Sequence, residues 1–186
     1  AAGPVADGWL TTLGIGAAGF LLRDSVEIDE MKYPIRVHEQ RLLADSEGAG
    51  RRRGSPGAYV EYGPVGCEMD VVYLSDGTFN SPAGVRGGLD GTRAQQLRRD
   101  AEGELSGELG AYARVPLAEG ETIVSICCGG AGYGPPAERE PERVAADVRE
   151  GLVSSERARD VYLVAVAPDG SLDRDGTAAL RRAAGA

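Results

Sequence analysis

Four of the six residues from Gly129 to Gly134 are glycine, and Pro135-Pro136 follow at once. Glycines permit backbone conformations closed to other residues, and the two prolines stop a helix from starting there. Ile123, Val124 and Ile126 lie just upstream and mark a buried strand, so the run begins where a strand ends. Consecutive N–H groups in such a run can form an anion-binding nest. A dinucleotide-binding loop would need a helix immediately, which the prolines deny. The reading expected is a tight structural loop with positive φ at one or more glycines. Gly129, Gly130, Gly132, Tyr133 and Gly134 are its candidate structural or interface residues.

Other breaks divide the rest of the chain. The stretch through Asp24 reads as loop with a short extended piece, since Gly14, Gly16 and Gly19 weaken any helix. Ser25 is placed to cap a short helix through Glu30, and Pro34 forces Tyr33 to be extended. Period two then governs Tyr33 to Leu43, with Ile35 and Val37 on one face and Arg36, His38 and Gln40 on the other. Asp45 to Gly57 reads as a long turn, Ala58–Val65 and Glu68–Ser75 as strands, and Asp76-Gly77-Thr78 as a turn. Asn80 to Gly91 is a Gly-rich connection, and the polar stretch 92–110 is expected to be a mobile loop. A hairpin turning at Ala118-Glu119-Gly120 is expected to join Ala111–Val115 to Glu121–Cys128. Beyond it, Pro141 opens a helix that Gly151 ends, and Ser154 caps another through Asp160. Val161–Val166 reads as a strand, Asp169-Gly170 as a turn and Thr177–Ala184 as a closing helix. The expected fold class is α+β: a strand-rich domain with short C-terminal helices, a single domain over 1–186.

Composition and motif search exclude several chemistries. A formal charge of −9 argues against a nucleic-acid footprint, and Arg51-Arg52-Arg53 reads as a solvated turn rather than a phosphate patch. No apolar run is long enough for a membrane helix, and no secretory signal opens the chain, whose first residues lack an initiator Met and read as processed or cut from a longer polypeptide. Three cysteines, two of them adjacent, make no disulfide framework, so a reduced, cytoplasmic protein with buried, inert thiols is expected. His38 is the single histidine and is expected on a wet strand face, which leaves no two-histidine zinc site in the chain. Lys32, the single lysine, has no phosphate loop before it, and no Gly-x-Ser-x-Gly elbow occurs. Asp169, Asp173 and Asp175 miss the spacing of a calcium loop.

Two sets of residues together resemble one family. The first is Glu30-Met31-Lys32-Tyr33-Pro34-Ile35-Arg36-Val37, followed by Asp45-Ser46-Glu47-Gly48-Ala49-Gly50 and Arg53-Gly54. The second runs from Gly129 to Gly134 through Glu138-Arg139, Pro141-Glu142-Arg143-Val144 and Asp147 to Ser154, ending with Ala158 and Tyr162. These are similar to the closing motifs of hydantoinase B, the family that includes the C-terminal half of 5-oxoprolinases and a large subunit of acetone and acetophenone carboxylases. The sequence departs from the family pattern at Glu47 and Ala131, where the pattern has Gly, and at Pro135, where it has Asp.

The resemblance implies the C-terminal portion of a subunit several times longer. It implies an ATP-binding hydantoinase A-type partner, with metal ligands in the earlier part of the B subunit. For the whole complex it implies ATP, Mg and a divalent metal, with no cofactor held by this chain. The activity implied is ATP-dependent opening of a cyclic amide, or else carboxylation of a ketone. A non-catalytic assembly module is the alternative of another class. No catalytic residue is assigned.

Overall fold

The computed structural model describes residues 2–9 and 25–185; the loop expected from residue 10 to Asp24 lies outside them. A four-stranded antiparallel sheet with strand order β1-β2-β6-β4 is the centre of the fold. Helix α1 (Val26–Lys32) precedes β1 (Ile35–Leu43), and the Ser25 hydroxyl accepts from the Ile28 N–H at its start. Next come β2 (Gly57–Pro64) and β3 (Met69–Leu74), then a turn of 3₁₀ helix at Asp76–Thr78. Strands β4 (Gln95–Arg99), β5 (Tyr112–Leu117) and β6 (Thr122–Ile126) complete the strand-rich part. The C-terminal third holds α2 (Pro141–Arg149), α3 (Ser155–Asp160), the two-residue strands β7 (Ala165–Val166) and β8 (Leu172–Asp173), and α4 (Arg174–Ala183). The class is α+β. No helix among the described residues is long and apolar enough to cross a membrane.

Several local expectations are corrected by non-local packing. A register shift at His38 turns Gln40 to the same side as Val37, so Gln40 lines one hollow with Ile35, Val37, Val60 and Tyr62. The stretch 92–110 is not all loop, because β4 pairs along β6 from Gln95↔Ile126 to Arg99↔Thr122. The turn at 118–120 exists, with Gly120 at φ +89°, but its two flanking strands do not pair with each other. β5 pairs with β3, while β6 is shared by β2 and β4. Only Ala165–Val166 of the expected strand 161–166 is extended, because Leu163 takes φ +57° and the Val164 N–H folds back onto the Ala158 carbonyl. Helix α4 begins earlier than expected, since Asp173 accepts from the Gly176 N–H and caps it.

Two buried clusters follow from this topology. Val71, Val115 and Leu117 of the β3–β5 ribbon pack with Ile123 of the main sheet. Val144, Val153, Ala158, Tyr162 and Val164 pack with Ala49, so the C-terminal helices rest on the segment expected as a long turn.

Across the main sheet, Glu61 accepts from Tyr59 Oη at 2.6 Å, Thr122 Oγ1 at 2.7 Å and Arg99 Nε at 2.9 Å. Burial pushes this carboxyl up, but the Arg99, Tyr59 and Thr122 hydrogen bonds outweigh it and bring it from the usual 4.5 down to about 2. A carboxyl lowered on folding stabilises the fold above its unfolded value and loses that effect as pH falls through its folded value. The stability difference between wild type and Glu61→Gln is therefore expected to be largest above pH 4.5 and to shrink as the pH falls toward about 2. Urea denaturation across that range measures it; a difference independent of pH would show that Glu61 is not held ionised.

Candidate functional site

The run 129–134 lies between two other irregular segments, 46–57 and 84–92, and the three bond to one another pairwise. Toward the first segment, the Gly48 N–H donates to the Gly130 carbonyl at 2.7 Å and the Gly130 N–H to the Ser55 carbonyl at 2.9 Å. Tyr133 exchanges N–H and carbonyl bonds with Arg52. Toward the second, the Gly132 N–H donates to the Leu89 carbonyl at 3.0 Å and the Val85 N–H to the Gly132 carbonyl at 3.0 Å. The triangle closes where the Leu89 N–H donates to the Ala49 carbonyl at 2.7 Å. In a sheet, backbones meet edge to edge and side chains escape above and below. Three backbones in a triangle leave no such exit, and a Cβ on Gly54, Gly129 or Gly132 would overlap the carbonyl of Gly130, Ser46 or Ala49 respectively.

This arrangement decides what the run can do chemically. The N–H groups of Gly129, Gly130, Gly132, Tyr133 and Gly134 donate to Thr92 Oγ1 and to the carbonyls of Ser55, Leu89, Arg52 and Val85 respectively. A nest needs such groups pointing at an open concavity, and here they are spent inside the protein. Of these four glycines only Gly134 has positive φ, at +74°, so closeness rather than backbone handedness selects glycine at the others.

Charged groups lock the bundle to its surroundings. Asp147 of α2 accepts from Arg53 Nε at 2.9 Å and from Arg139 Nη2 at 2.8 Å. Arg139, 1% exposed, also grips Asp7 of the N-terminal arm with two bonds of 2.7 and 3.0 Å. Burial raises the Asp7 carboxyl, but the bonds and charge of Arg139, with the Arg53 N–H, outweigh it and hold Asp7 below its ordinary value. Glu47 is buried too; its Oε1 accepts from Arg157 Nε and from the Tyr162 hydroxyl, each at 2.8 Å. Burial foremost, and then the Glu47 charge, push the Tyr162 hydroxyl far up.

The expectation of a solvated arginine turn is thus wrong for Arg53, which is buried against Asp147, while Arg51 is exposed near Glu138. His38 is exposed on β1. Cys127 is exposed and Cys67 and Cys128 are half-buried, against the expectation of buried thiols, because Cys127 lies past the end of β6. Asp169 accepts from the Ser171 N–H in its turn, and Asp173 caps α4. Sequence reasoning missed the Arg53–Asp147–Arg139–Asp7 chain; its partners are as much as 132 positions apart, and no local pattern announces such a link.

The close packing is tested with Gly54→Ala and Gly107→Ala. The first puts a methyl group into the Gly130 carbonyl and is expected to cost more than about 2 kcal/mol, lowering the melting temperature by several degrees. The second meets nothing within 4 Å and is expected to leave the melting temperature unchanged or slightly raised. Equal melting curves for the two variants would show that the three segments do not pack as described.

Comparison with known proteins gives a consistent result. A sequence model described as hydantoinase B/oxoprolinase matches residues 1–136. The caprolactamase subunit beta of Pseudomonas jessenii is 35% identical over 180 residues, which cover 95% of this chain and 31% of the relative. The solved ATP-dependent caprolactamase from Pseudomonas jessenii superposes with a TM-score of 0.69 at 30% identity, over 88% of this chain and 29% of that one. Nucleotide-free acetone carboxylase, from a study of ATP-dependent acetone carboxylation, has a TM-score of 0.80 over 97% of this chain and 28% of its own; at 23% identity the likeness is one of fold. The chain spans less than a third of the length of each of these proteins. A family model covering most of the chain, and a 35% identical relative along nearly all of it, lead to one conclusion: the chain belongs to the hydantoinase B/oxoprolinase family.

Proposed function

We propose that this chain is the C-terminal part of a hydantoinase B-type subunit in an ATP-dependent enzyme that hydrolyses a cyclic amide. The observation that carries the reading is the 35% identity to a caprolactamase subunit along 95% of the chain. Phosphorylation of the amide oxygen by ATP makes the carbonyl carbon electrophilic enough for water to open the ring. In this reading the ATP-binding machinery sits on a hydantoinase A-type partner, and the remaining B-type polypeptide forms the rest of the active site. The complex works in the cytoplasm.

The role proposed for this chain is rigid support. Glycines 129, 130, 132 and 134, with Tyr133, have no backbone donors left for a substrate, Arg53 and Arg139 are bonded to Asp147, and Arg157 is bonded to Glu47. Among the described residues no three His, Cys, Asp or Glu side chains converge to hold a metal ion.

The complete native assembly is the object to test. Incubated with Mg-ATP, it is expected to release ADP and phosphate together with the ring-opened acid, an amino acid from a lactam or 5-oxoproline and an N-carbamoyl amino acid from a hydantoin. Substituting Gly132→Val in this assembly is expected to reduce turnover only as far as it reduces the amount of intact complex. ATP turnover that requires a ketone and bicarbonate, with no response to cyclic amides, would make the enzyme a carboxylase and overturn the reading. A fully assembled Gly132→Val complex with turnover down about a hundredfold would move this run into the active site.

A further inference from the structure

The β3–β5 ribbon has two unlike faces. Its inner face is buried against Ile123, as described above. Its outer face carries Val72, Leu74 and Tyr112, which are 61, 76 and 72% exposed. The register sets Leu74 directly opposite Tyr112, with Val72 on the same face two residues along, so these groups form one patch. The charged neighbours on this face, Asp70 and Arg114, are hydrogen-bonded to each other and neutralise it locally. A chain with a net charge of −9 thus presents a neutral apolar window here.

The same ribbon has an open backbone edge. Among the described residues it holds two strands, so each has one side without a neighbouring strand. The Ser75 N–H donates to the Ala111 carbonyl, which fixes the alternation of the ladder and turns the N–H groups of Asp70, Val72 and Leu74 outward. Pro116 blunts the edge of β5, because proline has no N–H, but β3 has no such guard. An unguarded apolar edge strand is a template for another strand.

We propose that the outer edge of β3 and the Val72–Leu74–Tyr112 face receive the polypeptide that makes up the rest of a hydantoinase B-type subunit, an apolar strand of it extending the ribbon past β3. This rests on the reading that the chain works inside such a subunit. The proteins it matches carry more than two thirds of their length outside the matched stretch, which is ample polypeptide to cover the face. The chemistry selects a permanent neighbour over a transient one. Interfaces buried for the life of a protein are apolar and poor in charge at their core, whereas transient partners are steered by unbalanced charge.

Oxidative footprinting of the complete native assembly tests this, with each tyrosine normalised to its reactivity in denatured protein. Tyr112 is expected to react about tenfold more slowly than its 72% exposure in this chain alone implies, and to match the fully buried Tyr162. Leu74→Lys together with Tyr112→Lys in the complete protein is expected to release the remaining polypeptide, or to open it to limited proteolysis where it is covalently continuous. Full reactivity of Tyr112 in an assembly that contains hydantoinase B-type sequence would overturn the surface and leave the functional reading standing. An assembly without such sequence would overturn the reading itself. Protection in material containing only this chain, lost on dilution, would show that a second copy covers the face and would overturn the occupant proposed.

Discussion

Carbonyl oxygens of Ser46, Ala49, Leu89, Gly129 and Gly130 occupy the space where side chains of the facing segments would otherwise be. Close approach of three backbones replaces ordinary side-chain packing in this part of the protein. Dispersion contacts and hydrogen bonds along the bundle do the work that aliphatic groups do in a conventional core. The C-terminal helices depend on it, because Ala49 of the first segment is the floor on which Val144, Ala158, Tyr162 and Val164 rest. The main sheet depends on it as well, since β6 runs directly into Gly129 and β2 begins where the first segment ends.

Buried charge supplies what the glycines lack, which is side-chain specificity. Arg53, Asp147, Arg139 and Asp7 link the first segment, helix α2, the turn before it and the N-terminal arm. A charge taken out of water is tolerated only with partners in good geometry, and removing one partner of such a set is costly. Glu47 follows the same rule. It stands at a position where the family pattern has glycine, and its carboxylate is accommodated because Arg157 and Tyr162 reach it from α3 and the loop beyond.

Features written in neighbouring residues were legible in the sequence. Ser25 and Ser154 cap the helices assigned to them, Pro141 opens α2, and Gly151 ends it with φ +69°. Features that depend on distant partners were not. β4 looks like a loop because Gln96, Arg98 and Arg99 are polar, yet each finds a partner across the fold in Ser125, Glu121 and Glu61. The turn at 118–120 is genuine, but nothing in it tells β5 to leave for β3. The glycine run was visible as an irregular segment. Its closure with two other irregular segments was not, since each of the three reads separately as a turn.

The bundle also constrains the order of events during folding. Its three segments are separated by whole strands, so closing the triangle fixes two long loops before most of its hydrogen bonds can form. Two segments without the third leave a row of backbone groups with neither partners nor side chains to cover them. A nascent chain that has passed Leu89 but not yet Gly134 is therefore missing one wall of its interior. The last glycine run to emerge from the ribosome is the one that lets the earlier two settle, and the helices that rest on them can dock only after it.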